Sequence, residues 1–269
     1  MKRLLRETLS DFSYGVSRLT QGADSGLRIL TYHRVTNAHP EDRLCVPVER
    51  FRDQMRHLHE AGYSAVSLSR AVDWMKGEGT VPPLSVAVTF DDGFEDNFRY
   101  ARPILNRYGW SATFFVPSGF IGASDETHTL PEDRPMTWAH LGTLLHEGHE
   151  VGAHSVTHRR LTECDPRDLS MEIQGCRRVL EQRLRRPVRF FCYPSGDYNA
   201  LVKERVREAG YTAACTVRPG ANRPGQDLFA LARTEVSAFD SPWDFKKKLS
   251  GAYDWLHASV QGWKRVIHS

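Results

Sequence analysis

Two hydrophobic patterns alternate along the chain. Short apolar runs rich in β-branched residues, such as Ser85–Phe90, are typical of buried parallel strands. Other segments repeat an apolar residue every three or four positions, as Phe51, Met55 and Leu58 do, and this spacing is typical of an amphipathic helix. The pattern predicts strands at 28–33, 65–68, 85–90, 112–116, 150–153, 189–192, 213–216 and 231–236, and helices at 48–61, 97–108, 137–147, 165–185 and 200–209.

This alternation of strands and helices predicts an α/β fold built from parallel βα units. Seven or eight strands in 269 residues suit a single distorted (β/α)7-8 barrel. We expect the barrel to occupy residues 27–240, between an N-terminal amphipathic helical extension at 1–26 and a C-terminal helical tail at 241–269 packed on the barrel. In barrels of this kind the reactive residues follow the C-terminal ends of the strands.

The N-terminal extension has apolar residues at helical spacing among basic ones, and two interpretations stay open. The helix packs on the barrel, or residues 1–20 lie on an anionic membrane surface. The chain shows neither an apolar run long enough to span a bilayer nor the continuous apolar stretch of a secretory signal. We therefore expect a location in the cytoplasm or at the periphery of the inner membrane. The apolar positions are Leu5, Leu9, Phe12, Val16 and Leu19.

Charge and cysteine content exclude some classes of protein. The 36 Lys and Arg residues nearly balance the 33 Asp and Glu residues, and a net charge of +3 argues against a dedicated nucleic-acid binder. The five cysteines are irregularly spaced and form no CxxC pair, so the sequence predicts neither a disulfide framework nor a thiolate zinc site. We expect Cys192 to be a small core residue rather than a nucleophile, since no electropositive partner adjoins it.

Two adjacent carboxylates, Asp91 and Asp92, follow the predicted strand Ser85–Phe90. Neighbouring charges of one sign at a strand end are costly unless something compensates them. Successive side chains of an extended segment point in different directions, so one carboxylate could bind a cation while the other faces a substrate. Gly93 allows a sharp turn after them. The alternative is an ordinary helix N-cap, where Asp is favoured.

Two histidines, His154 and His158, follow the predicted strand 150–153. Imidazoles four residues apart meet on one side of a helical turn and can bind one metal ion. Such a pair also arises by chance on surface helices, and we take His146 and His149 nearby as unrelated to the site. With Asp92 added, the ligands become two His and one carboxylate, which leaves positions open for water and substrate as in a catalytic zinc site.

Two further strand ends carry candidate residues. In 189–196 (RFFCYPSG) a Pro/Gly turn could expose backbone N–H groups that stabilise an oxyanion, and Arg189 could orient a carboxylate through a bidentate contact. An ordinary strand and turn is the alternative. His33 ends the first predicted strand and would face the barrel mouth, although a structural role is the alternative for this residue.

Together these stretches resemble the polysaccharide deacetylase family, also called the NodB-homology domain or carbohydrate esterase family 4. TFDDG at 89–93 matches the family's first motif, HSVTH at 154–158 matches the second, and RFFCYPSG at 189–196 is similar to the third. The resemblance covers about residues 28–236. It implies a metal-dependent hydrolase that removes N-acetyl groups from N-acetylated amino sugars of a polysaccharide or glycan precursor and releases acetate.

Other stretches look like the poly-N-acetylglucosamine deacetylase branch of the family, whose barrel is circularly permuted. These are YHRV at 32–35, GYSAVSL at 62–68 and Met136-Thr137-Trp138. The usual family ends with a Leu-x-His strand that supplies a catalytic acid, and no convincing one stands near this C-terminus. In a permuted chain that strand comes first, so the resemblance implies that His33 is the general acid.

The resemblance also implies a role for each remaining site residue. It assigns one divalent metal ion, by default Zn²⁺ with Co²⁺, Ni²⁺, Fe²⁺ or Mn²⁺ as alternatives, to Asp92, His154 and His158. It makes Asp91 the general base, held by Arg189, and implies that the metal and the backbone N–H of Tyr193 stabilise the tetrahedral oxyanion. We expect substrate contacts at the barrel mouth, where aromatic rings either stack on sugar rings or simply pack; the residues are Trp138, Pro194 and Tyr198.

Two rival functions remain. The absence of a recognisable secretory signal would suit a lipid-linked or nucleotide-linked amino sugar on the cytoplasmic side, deacylated by the same chemistry. The other rival is an inactive glycan-binding homologue. The presence of both carboxylates, Asp91 and Asp92, and both histidines, His154 and His158, argues against that rival, because a degenerate homologue is expected to lose one of them.

Overall fold

The computed structural model describes residues 26–122 and 133–254. The predicted N-terminal extension therefore lies outside the described residues, apart from its last residue, and so does the end of the C-terminal tail. No helix in the described part of the chain is long and apolar enough to cross a membrane.

In the part of the chain that the structure describes, ten strands build the sheets, and all the pairs between them are parallel. They are β1 (Arg28–Tyr32), β2 (Arg34–Val35), β3 (Cys45–Val46), β4 (Ser64–Val66), β5 (Ser85–Phe90), β6 (Thr113–Val116), β7 (Glu150–Ala153), β8 (Phe190–Cys192), β9 (Ala213–Cys215) and β10 (Thr234–Glu235).

Eight α-helices connect or flank the strands in the described residues. They are α1 (Val48–Glu60), α2 (Leu68–Met75), α3 (Arg102–Asn106), α4 (Trp138–His146), α5 (Pro166–Ser170), α6 (Cys176–Leu184), α7 (Ala200–Glu208) and α8 (Pro242–Ser250). Two π-helical turns, Asn97–Ala101 and Met171–Gly175, run directly into α3 and α6.

The main sheet curls into the predicted distorted α/β barrel. Its strand order is β10-β1-β5-β6-β7-β8-β9, with β4 paired to β5. The segment that ends in β10 closes the ring, because Leu231 pairs with Cys215 of β9 while Thr234 and Glu235 pair with β1. The strand that precedes His33 therefore lies directly beside the strand that precedes Asp91.

Alternation along the strands gives the barrel two apolar layers. Leu30, Tyr32 and Phe90 face outward and join the large cluster beneath the helices. Ile29 and Ala87 face inward and join a second, smaller cluster. Helix α2 supplies Leu68, Ala71, Val72 and Met75 to this inner cluster. The inner cluster is thus built from the strands together with one helix.

Helix α2 was not among the predicted elements. The helix is short, so its amphipathic pattern covers few residues, and its first apolar residue, Leu68, falls within the predicted strand at 65–68. A carboxylate of β7 fixes its start: the backbone N–H groups of Leu68 and Ser69 donate to Glu150 at 2.9 and 3.2 Å. Since Glu150 begins β7, this contact lies at the N-terminal end of the strands.

Other predicted helices begin where their capping residues are. Thr137 caps α4, because its hydroxyl accepts a hydrogen bond from the His140 N–H and the His140 ring bonds back to the Thr137 N–H. Ser241 caps α8 in the same reciprocal way with Asp244. The predicted helix at 165–185 is instead interrupted by the π-helical turn Met171–Gly175, which hydrophobic spacing alone does not reveal.

Candidate active site

Asp91 directly follows β5, and its side chain is paired with a buried arginine. The Arg233 guanidinium donates from Nη1 to Oδ1 and from Nη2 to Oδ2 of Asp91, both at 2.7 Å. Both side chains are almost completely buried, at 0% and 3% exposure. Arg233 also donates through Nε to the Thr216 carbonyl at 2.8 Å. The carboxylate is therefore fixed in orientation and its charge is compensated.

This pairing decides the protonation state of Asp91. Burial alone would raise its pKa, but the charge and hydrogen bonds of Arg233, together with smaller contributions from His154 and His33, leave the pKa below its ordinary value. A carboxylate has more lone pairs than the two that Arg233 occupies. Asp91 is therefore an ionised, oriented carboxylate that can still accept a proton.

Asp92 turns away from Arg233 and faces two imidazoles. Its backbone has a φ of 68°, followed by Gly93 at 72°, and this turn separates the directions of the two carboxylates. Oδ1 of Asp92 lies 3.3 Å from Nε2 of His154 and 3.2 Å from Nε2 of His158. Burial raises the pKa of Asp92, but hydrogen bonds from the two imidazoles lower it well below its usual range.

Asp92, His154 and His158 have the chemistry of a metal centre. Their ligand atoms all lie within 4.8 Å of one another. The Nδ1 of His154 donates to the Cys192 carbonyl at 2.8 Å, so Nε2 is the nitrogen that would offer a lone pair to an ion once the proton it shares with Asp92 has left. Two imidazoles and one carboxylate suit a divalent transition-metal ion and leave open positions. The residues present therefore fit such an ion.

A second grouping, Asp91 with His154 and Cys192, has similar spacing but does not suit a cation. Arg233 already binds both oxygens of Asp91, and its Nη2 lies 3.1 Å from the Cys192 sulfur. Burial also raises the pKa of the Cys192 thiol well above its ordinary value, which disfavours the thiolate that a metal requires. Cys192 is buried as the sequence predicted, but the reason given for it was wrong, because the Arg233 guanidinium adjoins its sulfur.

The imidazoles meet without the helical turn that their spacing suggested. His154 continues the β7 ladder through a bond from its N–H to the Val116 carbonyl, and 155–158 form an irregular loop. Ser155 and His158 have φ values of 63° and 58°, in the left-handed region. These two residues reverse the chain and bring the rings to 4.7 Å between centroids.

His33 comes from the neighbouring strand. The β1–β5 register pairs Tyr32 with Phe90, and the Asp91 N–H donates to the Tyr32 carbonyl at 3.0 Å. His33 is therefore one step beyond the last pair, level with Asp91. Burial raises the pKa values of Asp91 and Asp92, their hydrogen-bond partners lower them, and an electrostatic interaction with His33 lowers both further. The strand register thus places His33 beside Asp91, at the end of the barrel that also carries Asp92.

A family model described as polysaccharide deacetylase matches residues 78–214, just over half of the chain. The chain belongs to the polysaccharide deacetylase family. It is therefore a deacetylase, a hydrolase, as the sequence motifs predicted.

Relatives span most of the chain. YxkH of Bacillus subtilis (strain 168), provisionally named a polysaccharide deacetylase, is 28% identical over 211 residues, which cover 78% of this chain and 71% of the relative. A poly-beta-1,6-N-acetyl-D-glucosamine N-deacetylase of Staphylococcus epidermidis is 22% identical over 238 residues, which cover 80% of this chain and 82% of the relative.

Solved structures agree on the fold. IcaB from Ammonifex degensii superposes with a TM-score of 0.72 at 26% identity, over 85% of this chain and 97% of IcaB. The Streptococcus pyogenes deacetylase PplD, solved in complex with acetate, superposes with a TM-score of 0.75 at 22% identity, over 83% of this chain and 98% of PplD. The barrel described above is thus the fold of these deacetylases.

The prediction that Arg189 orients the base of this deacetylase is wrong. Arg189 precedes β8, at the opposite end of the strands, and its Nη2 binds Asp73 of α2 at 2.9 Å. Arg233 holds Asp91 instead. The sequence contained an indication of this, because an arginine within 231–236, a segment predicted to be a strand, must find an anion when it is buried.

The prediction for the Tyr193 backbone also fails in this structure. Its N–H donates to the Cys215 carbonyl at 3.2 Å, as part of the β8–β9 pairing, so it is not free to bind an oxyanion. The Tyr193 hydroxyl donates to the Phe229 carbonyl at 3.0 Å. Pro194 is buried, so it offers little surface to a substrate.

The two candidate sugar-stacking rings are partly covered by protein. Tyr198 stacks on Tyr193, with centroids 4.7 Å apart and planes at 18°. Trp138 begins α4, and the Arg183 guanidinium lies 4.9 Å from the centre of its ring. Both rings are half-buried. One face of each ring is therefore occupied, and stacking on a sugar would use the other face.

Proposed function

We propose that this family member is a metal-dependent N-deacetylase that acts on N-acetylated amino sugars of a glycan and releases acetate. The observation that carries the proposal is that the adjacent carboxylates Asp91 and Asp92 have different partners. Asp91 is held ionised by Arg233 and is kept apart from the cation-binding group, while Asp92 faces His154 and His158.

Hydrolysis of an acetamide needs a water deprotonated on one side of the carbonyl and an amine protonated as it leaves. Asp91 is the group that accepts the water proton, since it is ionised and its orientation is fixed. His33, level with Asp91 on the neighbouring strand, is the group that donates a proton to the departing nitrogen. These two residues come from strands β5 and β1, so both sides of the reaction centre are supplied by rigid elements.

Asp92, His154 and His158 would hold the ion, with zinc as the default choice. When bound there, a divalent ion polarises the amide carbonyl and lowers the pKa of a water molecule by several units. The carbonyl of Cys192 keeps Nε2 of His154 directed toward the ligand set. In this scheme no backbone N–H from Tyr193 is required, which agrees with its use in the sheet.

Two similarities support an amino-sugar polymer as the substrate. The Staphylococcus epidermidis relative that spans most of this chain is named for poly-beta-1,6-N-acetyl-D-glucosamine. A Bacillus cereus relative, matched over 47% of this chain and 53% of its own length, is named for the N-acetylglucosamine of peptidoglycan. Both names specify an N-acetylated glucosamine, so the acyl group proposed here is acetyl on a sugar nitrogen.

The test is acetate release by the purified full chain from poly-N-acetylglucosamine and chitin oligomers, with added zinc or cobalt. We expect release that stops with a chelator and returns with metal. Absence of release from every oligomer by metal-loaded protein would contradict a polymer substrate. The same assay with lipid-linked and nucleotide-linked amino sugars then tests the rival substrates. Absence of both metal binding and release would contradict the proposed function altogether.

A further inference from the structure

The loop that carries His158 is held in an unfavourable backbone conformation. Ser155 and His158 both have positive φ values, which non-glycine residues rarely adopt. His154 does not depend on this loop, because the β7 ladder and the Cys192 carbonyl fix it. The position of His158 relative to Asp92 therefore depends on whatever stabilises the loop.

One buried carboxylate from another element holds the loop. Glu172 accepts hydrogen bonds from the backbone N–H groups of Val156 and Thr157, both to Oε2 at 2.9 Å. Its other oxygen accepts from the Thr157 hydroxyl at 2.6 Å. The Glu172 residue is only 6% exposed. Three donors of the loop thus converge on one side chain.

The opposite side of the loop is paired with the backbone of the segment that follows β6. The N–H groups of Ser118 and Gly119 donate to the carbonyls of Ser155 and Val156 at 3.1 and 2.9 Å. Glu172 comes from the π-helical turn Met171–Gly175, an arrangement that is often found at functional sites. The loop is therefore clamped between the extension of β6 and the Glu172 carboxylate.

We propose that Glu172 is a positioning residue for the metal centre, acting through Val156 and Thr157 to hold His158 beside Asp92. The proposal rests on the proposed function, since it assumes that Asp92, His154 and His158 bind a metal ion. Without Glu172 two loop N–H groups lose their acceptor, and His158 loses its place while His154 keeps its own. Partners that orient metal ligands typically contribute tenfold or more to metal affinity.

The chain offers a matched control at the other end of β7. Glu150 also accepts two backbone N–H groups, from Leu68 and Ser69, and the Thr113 hydroxyl at 2.8 Å. It thus makes the same kinds of bonds as Glu172 but holds α2 rather than the histidine loop. Removing either carboxylate is expected to lower Tm, whereas removing Glu172 alone should weaken the binding of metal.

The experiment measures the Kd for Zn²⁺ by chelator competition, and the visible spectrum of the Co²⁺ form, for the full chain and its variants. We expect Glu172→Ala to raise the Kd about tenfold or more and to change the cobalt spectrum. Glu172→Gln keeps an acceptor for both N–H groups and a donor for the Thr157 hydroxyl, so it should restore a Kd within about threefold of the unsubstituted protein. Glu150→Ala should leave the Kd and spectrum unchanged.

A wild-type Kd and spectrum in Glu172→Ala would overturn the proposal, as would an equal loss of affinity in Glu150→Ala. If Glu172→Ala does not fold, Glu172→Asp takes its place. The shorter side chain keeps the charge but cannot reach all three donors, and we expect a Kd raised about threefold or more. An unchanged Kd in Glu172→Asp would then contradict the proposal. Absence of zinc binding by the unsubstituted protein would instead contradict the metal-dependent function on which it rests.

Discussion

The two ends of the barrel strands differ in how their polar groups are treated. At the N-terminal end Glu150 is saturated by the start of α2 and the Thr113 hydroxyl, and Asp73 pairs with Arg189. At the C-terminal end two carboxylates adjoin each other, and backbone residues adopt the left-handed region. Among the described residues, four of the six non-glycine residues with positive φ lie at this end, whereas Leu84 and Arg185 precede β5 and β8 at the other; the four are Asp92, Ser155, His158 and Ser195.

Buried polar atoms show the same asymmetry. Among the described residues, the buried side-chain atoms without a hydrogen-bond partner are on Thr31, His33, Asp96, Asn97 and Ser118. Thr31 lies near the end of β1, and the other four lie in the segments that follow β1, β5 and β6, at the same end of the barrel as Asp91 and Asp92. Strain and unsatisfied groups persist only where the surrounding structure enforces them, and they concentrate at functional sites. One end of the barrel is thus organised for stability and the other for chemistry.

The sharpest test of this comparison exchanges one carboxylate at each end for its amide. Both Asp91 and Asp73 are paired with an arginine. We expect Asp91→Asn to lower kcat for acetate release about 10³-fold, because general bases contribute on that order, and Asp73→Asn to leave kcat within about twofold. Steady-state kinetics on the same oligomer measure both. Comparable losses in the two variants would contradict the assignment of Asp91 as the base.

Removing the two arginines should separate the ends by stability. Arg233→Met leaves Asp91 buried without its partner and is expected to lower the free energy of unfolding by about 3–5 kcal/mol. Arg189→Met breaks a half-exposed pair with Asp73, for which about 1 kcal/mol or less is expected. Urea unfolding followed by circular dichroism measures both. Equal losses of unfolding free energy would show that the buried Arg233–Asp91 pair contributes no more to stability than the half-exposed Arg189–Asp73 pair.

The Arg233 variant also has a signature in the pH profile. Arg233 keeps the pKa of Asp91 below its ordinary value, so its removal raises that pKa. A base works only above its own pKa, and the acid limb of kcat/KM should therefore move to higher pH in Arg233→Met. Arg189→Met should keep the limb of the unsubstituted protein, and a shift in this variant instead would restore Arg189 as the partner of the base.

The sequence predicted the parts of this site that depend on local chain geometry. Asp91, Asp92, His154 and His158 follow apolar strands, and parallel strands bring their C-terminal ends together whatever the exact register. The predicted helical turn for the two histidines was wrong, although the rings do meet, because Ser155 and His158 adopt left-handed conformations.

Contacts that depend on barrel closure could not be predicted in this way. Arg233 is 142 positions from Asp91, and the two meet only because the segment after Leu231 lies between β9 and β1. Arg189 was assigned to Asp91 because its true partner lies on α2, a helix that the hydrophobic spacing did not reveal. The N–H of Tyr193 was expected to be free because the β8–β9 pairing was not known.

His33 offers a smaller effect that separates the acid from the base. His33→Gln removes the proton donor for an amine, and we expect kcat for the amide substrate to fall about 10²-fold. An aryl acetate has a leaving group that needs no proton, so its hydrolysis should be nearly unchanged in His33→Gln but still lost in Asp91→Asn. Loss of both reactions in His33→Gln would contradict a role as the acid.

The smallest predicted effect concerns His149, which precedes β7 at the N-terminal end of the strands. Its Nδ1 accepts the Ala112 N–H at 3.2 Å, and its Nε2 donates to Asn106 at 3.0 Å. Burial, only partly offset by Glu147, lowers the pKa of His149, and protonation would also remove the acceptor for Ala112.

The unfolded chain therefore binds a proton near pH 6.5, where the folded protein does not, and the free energy of unfolding should fall as the pH drops below that value. One group can contribute a slope of at most about 1.4 kcal/mol per pH unit. His57 and His140 have lowered pKa values as well. The quantity to compare is therefore the slope of the free energy of unfolding in urea against pH, in the unsubstituted protein and in His149→Gln. The amide oxygen of this variant can still accept the Ala112 N–H. A shallower slope in His149→Gln between pH 7.5 and 5.5 is the expected result. Parallel slopes would mean that no proton is linked to the burial of His149.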